Sequence, residues 1–495
     1  MLPVGSFAWE GSRGGRPGVG RGSASPGQKT RIRPGHSPHI VGTHATGPAP
    51  RGVSMTVRPA WAGRNFLLLT GATVIANLGS SGAQIATAFA VLAANGSATD
   101  VGLVAAARTI PLVLFLLIGG AVADRLPRHR VMVAANILNC TSQGLFALLV
   151  LTGQPPLWQM AALAALGGTG QAFFAPASEG MVLASVSGEH SGRAFAVFRM
   201  GMNGATIGGA ALGGALVAAA GPGWVLAIDS AAFALAATLR AFLDAGGVPE
   251  RAPGGGMLRD LRDGWREVAS RTWLWAIVVQ FSLVNAVIVA AEAVYGPLVA
   301  EEHLGGARPW GLAMAAFGVG TVGGALLMTR YKPRRILLTG TLCVFPLALP
   351  SAALAVPLPA AGLSAVMFGT GIAVEVFSVA WMTALHQEIP EEKFSRVSSY
   401  DWFGSLAGVP VATALAGPVQ NVIGRPAALW GCSALIALLT AAVLCVRDVR
   451  ALTRRDHGPA RDPRRPEETA AREAPGHQRD DASLPDQAPP PVSRG

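Results

Sequence analysis

A chain of 495 residues that is 51% hydrophobic and only 14% charged carries more hydrocarbon than a soluble core can use, which excludes an ordinary soluble enzyme or regulatory domain. The formal net charge is +11, but the basic residues sit in loops and tails between apolar runs; this is positive-inside patterning, not a nucleic-acid patch. The class that remains is an all-α integral membrane protein.

Residues 1–60 are rich in Gly, Pro, Arg and Ser, lack an apolar stretch of signal-peptide length, and read as a disordered cytoplasmic arm. Met55, just ahead of TVRPAWAGRNF, reads as an alternative start. Twelve apolar runs follow, near 66–94, 101–123, 131–152, 157–184, 194–219, 224–243, 273–298, 308–329, 335–356, 359–386, 398–421 and 425–446. Each is long enough to cross roughly 30 Å of hydrocarbon. Alternate loops carry Arg125, Arg128, Arg130, Arg193, Arg330, Lys332, Arg334, Arg335, Lys393 and Arg396, against only Arg308 and Arg425 on the other side. That bias predicts cytoplasmic termini and residence in the cell membrane.

The runs group into six-helix halves, 61–243 and 273–446, with a cytoplasmic linker at 244–272 and a disordered cytoplasmic tail at 447–495. Within the linker, Leu258, Leu261, Trp265 and Val268 recur at intervals of three and four, which predicts an amphipathic helix lying on the membrane surface. The halves echo one another. Gly119-Gly120-Ala121 recurs as Gly323-Gly324-Ala325, each before a basic loop, and Glu189-x-x-x-Arg193 recurs as Glu392-x-x-x-Arg396. Such pairing is expected of a duplicated unit.

The turn after the second run reads GGAVADRLPRHR, with Gly119, Gly120, Asp124, Arg125, Arg128 and Arg130 at its key places. It resembles the loop between the second and third helices of major facilitator superfamily transporters. The resemblance extends over roughly residues 61–447 and implies twelve transmembrane helices in two pseudo-symmetric halves. It also implies that these six residues form a cytoplasmic latch holding one conformation closed. Further strings, AARTIPLVLFLLIGGAVADRL, FFAPA, IDSAAF and HQEIPEEKFSRVSSYDWFGSLAG, resemble the branch that includes macrolide-type efflux proteins and siderophore exporters. That branch carries an acid in its first span, where this chain has Ala83 and Gln84.

Small residues at four-residue spacing, Gly204 and Gly208, Gly209 and Gly213, Gly320 and Gly324, and Gly404 and Gly408, are expected at the contact between halves. A charge inside a span costs about 2.5–3.5 kcal/mol on insertion scales, so each marks a place to look for function. Those charges are Arg108, Asp229, Glu292 and Glu375. The first three fall in the outer third, where Arg108 could neutralise an acid; Glu375 falls in the inner half. Glu292 and Glu375 are the expected proton carriers, with Asp229 and Arg108 as coupling or structural partners. Asn77, Gln84, Asn203, Phe281, Asn285, Phe377 and Trp381 are expected in a substrate cavity with an aromatic, amphiphile-accepting wall.

The reading is a secondary transporter, not an enzyme, exporting a small amphiphilic compound (drug, natural product or siderophore) by proton-coupled alternating access. No G-x-x-x-x-G-K-[ST] loop is present to hold ATP. Uptake, and a non-transporting scaffold or sensor, stay open as alternatives. No cofactor or metal is expected; the four cysteines are scattered in apolar runs without ligand spacing. The expected partners are the substrate, protons and the bilayer, without nucleic acid, for a monomeric chain.

Overall fold

The computed structural model describes residues 63–123, 126–185, 190–243 and 265–453. Hydrocarbon offers the backbone no partner, so each apolar run closes its own N–H and C=O groups inside a helix. The spans are α1 Arg64–Ala93, α2 Ala98–Ala123, α3 Arg128–Thr152, α4 Leu157–Ala184, α5 Ser191–Ala220, α6 Pro222–Ala241, α7 Thr272–Leu304, α8 Ala307–Arg330, α9 Ile336–Ala355, α10 Ala360–Glu388, α11 Glu391–Ala407 continued as Val409–Ile423, and α12 Arg425–Leu444. Among the described residues eleven helices are long and apolar enough to cross a membrane, and the 28-residue Leu157–Ala184 has the length of a twelfth.

Three spans depart from regular α geometry where their sequences demand it. In α7, π-helical turns at Ala291–Tyr295 and Ala300–Leu304 flank Pro297. In α9, Pro346 and Pro350 lack the N–H that a continuous helix needs, and the span runs as Ile336–Leu342, a 3₁₀ turn Phe345–Ala348, and Leu349–Ala355. In α11 the break falls at Gly408, two residues before Pro410.

Helix pairing repeats between the halves. In the first, α1 packs on α5 and α6, α2 on α4, and α3 on α4 and α6; in the second, α7 packs on α11, α8 on α10, and α9 on α10 and α12. The turns match as well. Gly221 before α6 and Gly424 before α12 have φ of 89° and 81° with ψ of 164° and 152°, a conformation that excludes other L-residues and so fixes glycine at equivalent places in both halves. The ends alternate: the helix ends bearing Arg128, Arg330 and Lys393 share one end, here the basic end, and the loops at 94–97, 305–306 and 424 share the other.

One expectation for the polar segments is corrected. The predicted disordered tail does not begin at Arg447: Arg447–Ala451 forms a short helix with Val449 fully buried. The linker's last turn, 265–269, is helical, but Val268 is buried in protein and the Trp265 ring lies 5.9 Å from that of Tyr400. This end of the linker therefore packs in part on the base of α11, with Trp265 still exposed. Leu258 and Leu261 lie outside the described residues, as do residues 1–62 and 454–495.

Glu267 ties that linker end down, accepting a hydrogen bond from Lys393 Nζ and pairing in charge with Arg271 Nη1, at 2.7 Å each. The Lys393 hydrogen bond, aided by the Arg271 charge, holds the Glu267 carboxyl below its usual range. A carboxylate whose folded pKa is depressed stabilises above its unfolded pKa, and the contribution disappears as pH falls through the folded value. Amide protection factors over 265–271, corrected for intrinsic exchange, should therefore fall as pH drops below the ordinary glutamate range, by no more than about 1 kcal/mol of local opening energy, and Glu267→Gln should abolish that pH step.

Candidate functional site: a cavity between the halves

The halves meet along two symmetry-related seams, α5 with α8 and α2 with α11. At the end opposite the basic loops the backbones touch. A Cβ added to Gly214 would lie 2.8 Å from Gly311 Cα, and one added to Gly311 2.9 Å from Gly214 Cα. Gly102 abuts the Thr413 carbonyl and Gly417 abuts Thr99, while Asn421 Nδ2 reaches Thr99 Oγ1 at 3.5 Å. Seven of the eight expected seam glycines serve elsewhere: Gly208, Gly209 and Gly213 pack on Leu78 and Gly82 of α1, Gly320 and Gly324 on Phe368 and Ile372 of α10, and Gly404 and Gly408 on α7, while a Cβ at Gly204 would meet nothing within 4 Å. Four-residue spacing reports a smooth face, not the helix that covers it.

From this seam a cavity of about 1010 Å³ extends between the halves toward the basic end, where Phe195, Arg199, Phe394 and Ser398 line it. Asn77, Gln84, Asn203, Phe281, Asn285, Phe377 and Trp381 all lie in its wall. Phe281 and Phe377 stack at 4.8 Å, Asn285 Nδ2 donates to the Ser405 carbonyl at 2.6 Å, and Asn77 Nδ2 donates to the Thr73 carbonyl at 3.0 Å. Gln143 and Gln171 join the wall, whereas Asn139 bonds within its own helix and Gln280 Nε2 donates to Thr440 Oγ1 at 3.2 Å.

The four in-span charges separate. Arg108 and Glu292 line the cavity, Glu292 from the π turn Ala291–Tyr295. Asp229 lies fully buried between α6 and α1, accepting a hydrogen bond from Ser80 Oγ at 3.3 Å. Arg108 is close enough to attract its charge, and Asp229 Oδ2 has no hydrogen-bond partner among the described residues. Glu375 is 6% exposed, lies outside the cavity wall among the described residues, and turns its Cβ toward Gly324 of α8. In the loop motif, Gly119 and Gly120 belong to the end of α2, and Arg128 and Arg130 open α3; Asp124 and Arg125 lie outside the described residues.

Two charges escaped the sequence reading. Asp401 lines the cavity and accepts a hydrogen bond from Trp381 Nε1 at 3.1 Å. It looked like a residue at a span entrance, but α11 begins at Glu391, behind Pro390, which sets Asp401 about 15 Å along the helix. Proline followed by acids is a helix-start signal that could have found it. Arg240 is fully buried, its Nη2 donating to Thr73 Oγ1 at 2.8 Å and its guanidinium 4.6 Å from the centre of the Phe174 ring. Asp229, Phe233, Ala236 and Arg240 follow at intervals of four, three and four on one buried face of α6, and that spacing was the available signal.

Paired six-helix halves around a central cavity define a multi-pass membrane carrier. The family model of the Major Facilitator Superfamily matches residues 69–413, and the chain belongs to that superfamily of transporters. Among known proteins it is similar to the multidrug efflux pump Tap of Mycolicibacterium fortuitum, 27% identical over 398 residues that span 76% of this chain and 93% of that protein. Solved structures share the fold. The nucleoside transporter NupG aligns with TM-score 0.61 at 12% identity, over 77% of this chain and 98% of that one. A bacterial homologue of the human lysosomal transporter Spinster, in an inward-facing and occupied conformation, aligns with TM-score 0.58 at 14% identity, over 77% and 95%.

Arg108 and Asp229 offset one another's buried charge without a direct ion pair, so removing either costs at least about 1 kcal/mol. Arg108→Leu and Asp229→Asn should each lower the melting temperature in detergent, and the double variant should recover most of the loss. At the seam, Gly311→Leu should push the halves apart. Spin labels on Asn95 and Asn421 should then report a longer distance across that end than in the unsubstituted chain.

Proposed function

We propose that this transporter exports a small amphiphilic compound in exchange for protons, by alternating access, from the cytoplasm across the cell membrane. The observation that carries the reading is the cavity itself: about 1010 Å³, walled by Phe281, Phe377, Trp381 and a set of amides, with the Glu292 carboxyl in the same wall. That volume suits a drug-sized molecule, and the mixed wall suits one with an apolar body and a few polar groups. A carboxyl group passes through hydrocarbon neutral and ionises where water reaches it, which is what proton coupling requires. Glu292 is the first choice for that carrier, with Glu375 as a second acid that acts across the α8–α10 contact. Similarity to a multidrug efflux pump supports export over uptake.

The basic loops support cytoplasmic termini by the positive-inside rule, and on that reading the closed seam is external and the cavity faces inward. In this setting Gly119, Gly120, Asp124, Arg125, Arg128 and Arg130 act as the latch on the cytoplasmic side, the chain works as a monomer, and its partners are cargo, protons and lipid.

The test is efflux of a fluorescent cationic dye and of a panel of antibiotics from cells expressing the chain, with and without a protonophore. Protonophore-sensitive efflux should fall at least about tenfold in Glu292→Gln, with a smaller loss in Glu375→Gln. Unchanged efflux in the double variant would overturn the coupling assignment, and protonophore-sensitive accumulation would reverse the direction.

A further inference from the structure

The cavity wall is divided by charge. Its cations, Arg108 and Arg199, come from the first six helices, and its carboxylates, Glu292 and Asp401, from the last six. Arg108 is close enough to Asp229 to feel its charge, and Arg199 lies 5.8 Å from the centre of the Phe195 ring. Asp401 is placed differently. Its one hydrogen bond among the described residues is the indole N–H of Trp381, and no ion pair with a described lysine or arginine reaches it. A carboxylate offers about four acceptor sites, and with one of them taken by Trp381 the others are open to a cation that enters the cavity.

The surroundings of Asp401 select the kind of cation. Trp381 is fixed by an edge-on contact with the buried Trp273 at 5.8 Å, and Trp402, Phe394 and the stacked Phe281–Phe377 pair share the same cavity. Among the described residues no three His, Cys, Asp or Glu side chains converge as metal ligands, and aromatic faces are poor partners for a hydrated metal ion. They are good partners for an organic cation, whose charge meets the negative face of the ring while its body is desolvated.

We propose that Asp401, held by Trp381, is the subsite that takes the positively charged nitrogen, or an equivalent delocalised cationic centre, of an aromatic cargo. The proposal rests on the reading of the cavity as the cargo site. It adds that the cargo class is cationic, and that the discriminating residue is in α11.

The probe is tetraphenylphosphonium, a permanent aromatic cation, measured by equilibrium binding to the full chain in lipid nanodiscs, beside triphenylphosphine oxide, which is aromatic and uncharged. Asp401→Asn should weaken tetraphenylphosphonium binding at least about tenfold while leaving triphenylphosphine oxide within about twofold. Asp401→Glu, which keeps the charge, should stay within about threefold of the unsubstituted chain, and Trp381→Phe should lose affinity for the cation alone. Equal cation binding in Asp401→Asn overturns the proposal, as does a parallel loss of both probes. If the unsubstituted chain binds the neutral probe and not the cation, this subsite falls while the cavity's role in carrying cargo stands; if it binds neither, both readings fall.

Discussion

A peptide group in hydrocarbon has only other peptide groups to bond with, and the rest of this structure follows from that restriction. Lipid-facing stretches must be helical, so the site is built chiefly from side chains on facing helices. The same restriction explains why the irregular turns of α7, α9 and α11 occur where prolines remove a donor or where the segment abuts protein, with Tyr295, Val344 and Val409 all buried.

The repeated pairing of helices divides the molecule into two halves and the seams between them. Within each half, glycines bring backbones together: Gly213 on Gly82 in one, Gly320 on Phe368 in the other. Between halves the contacts gather at one end, at Gly214 and Gly311 and at Gly102 and Thr413. Apolar helix faces have little to gain from one another in lipid, so such close backbone approach, and not hydrophobic burial, defines which contacts persist.

Much of this was legible in the sequence because the bilayer makes hydropathy a direct report of structure. The apolar runs mark the spans, and the GGAVADRLPRHR turn points to the superfamily. Legibility failed where polar residues lie inside a helix. Glu391, Lys393 and Arg396 belong to α11, and taking them for a loop hid Asp401. Arg240 was hidden because a cation near a span end ordinarily reaches out to water, whereas here Thr73 and Phe174 enclose it. Periodicity placed Glu292 and Glu375 alike inside spans, but it carries no information on which neighbour covers a face; only the packing separates the cavity wall from the α8–α10 contact.

The division of charge across the cavity makes it a small capacitor, with Arg108 and Arg199 on one plate and Glu292 and Asp401 on the other. Attraction between plates grows as their separation and the dielectric between them fall, so an empty cavity that loses its water carries a field drawing the halves together. A cation seated against the acidic plate discharges part of that field. The charge of the cargo would then set not only its affinity but the force with which the two halves of its carrier close around it.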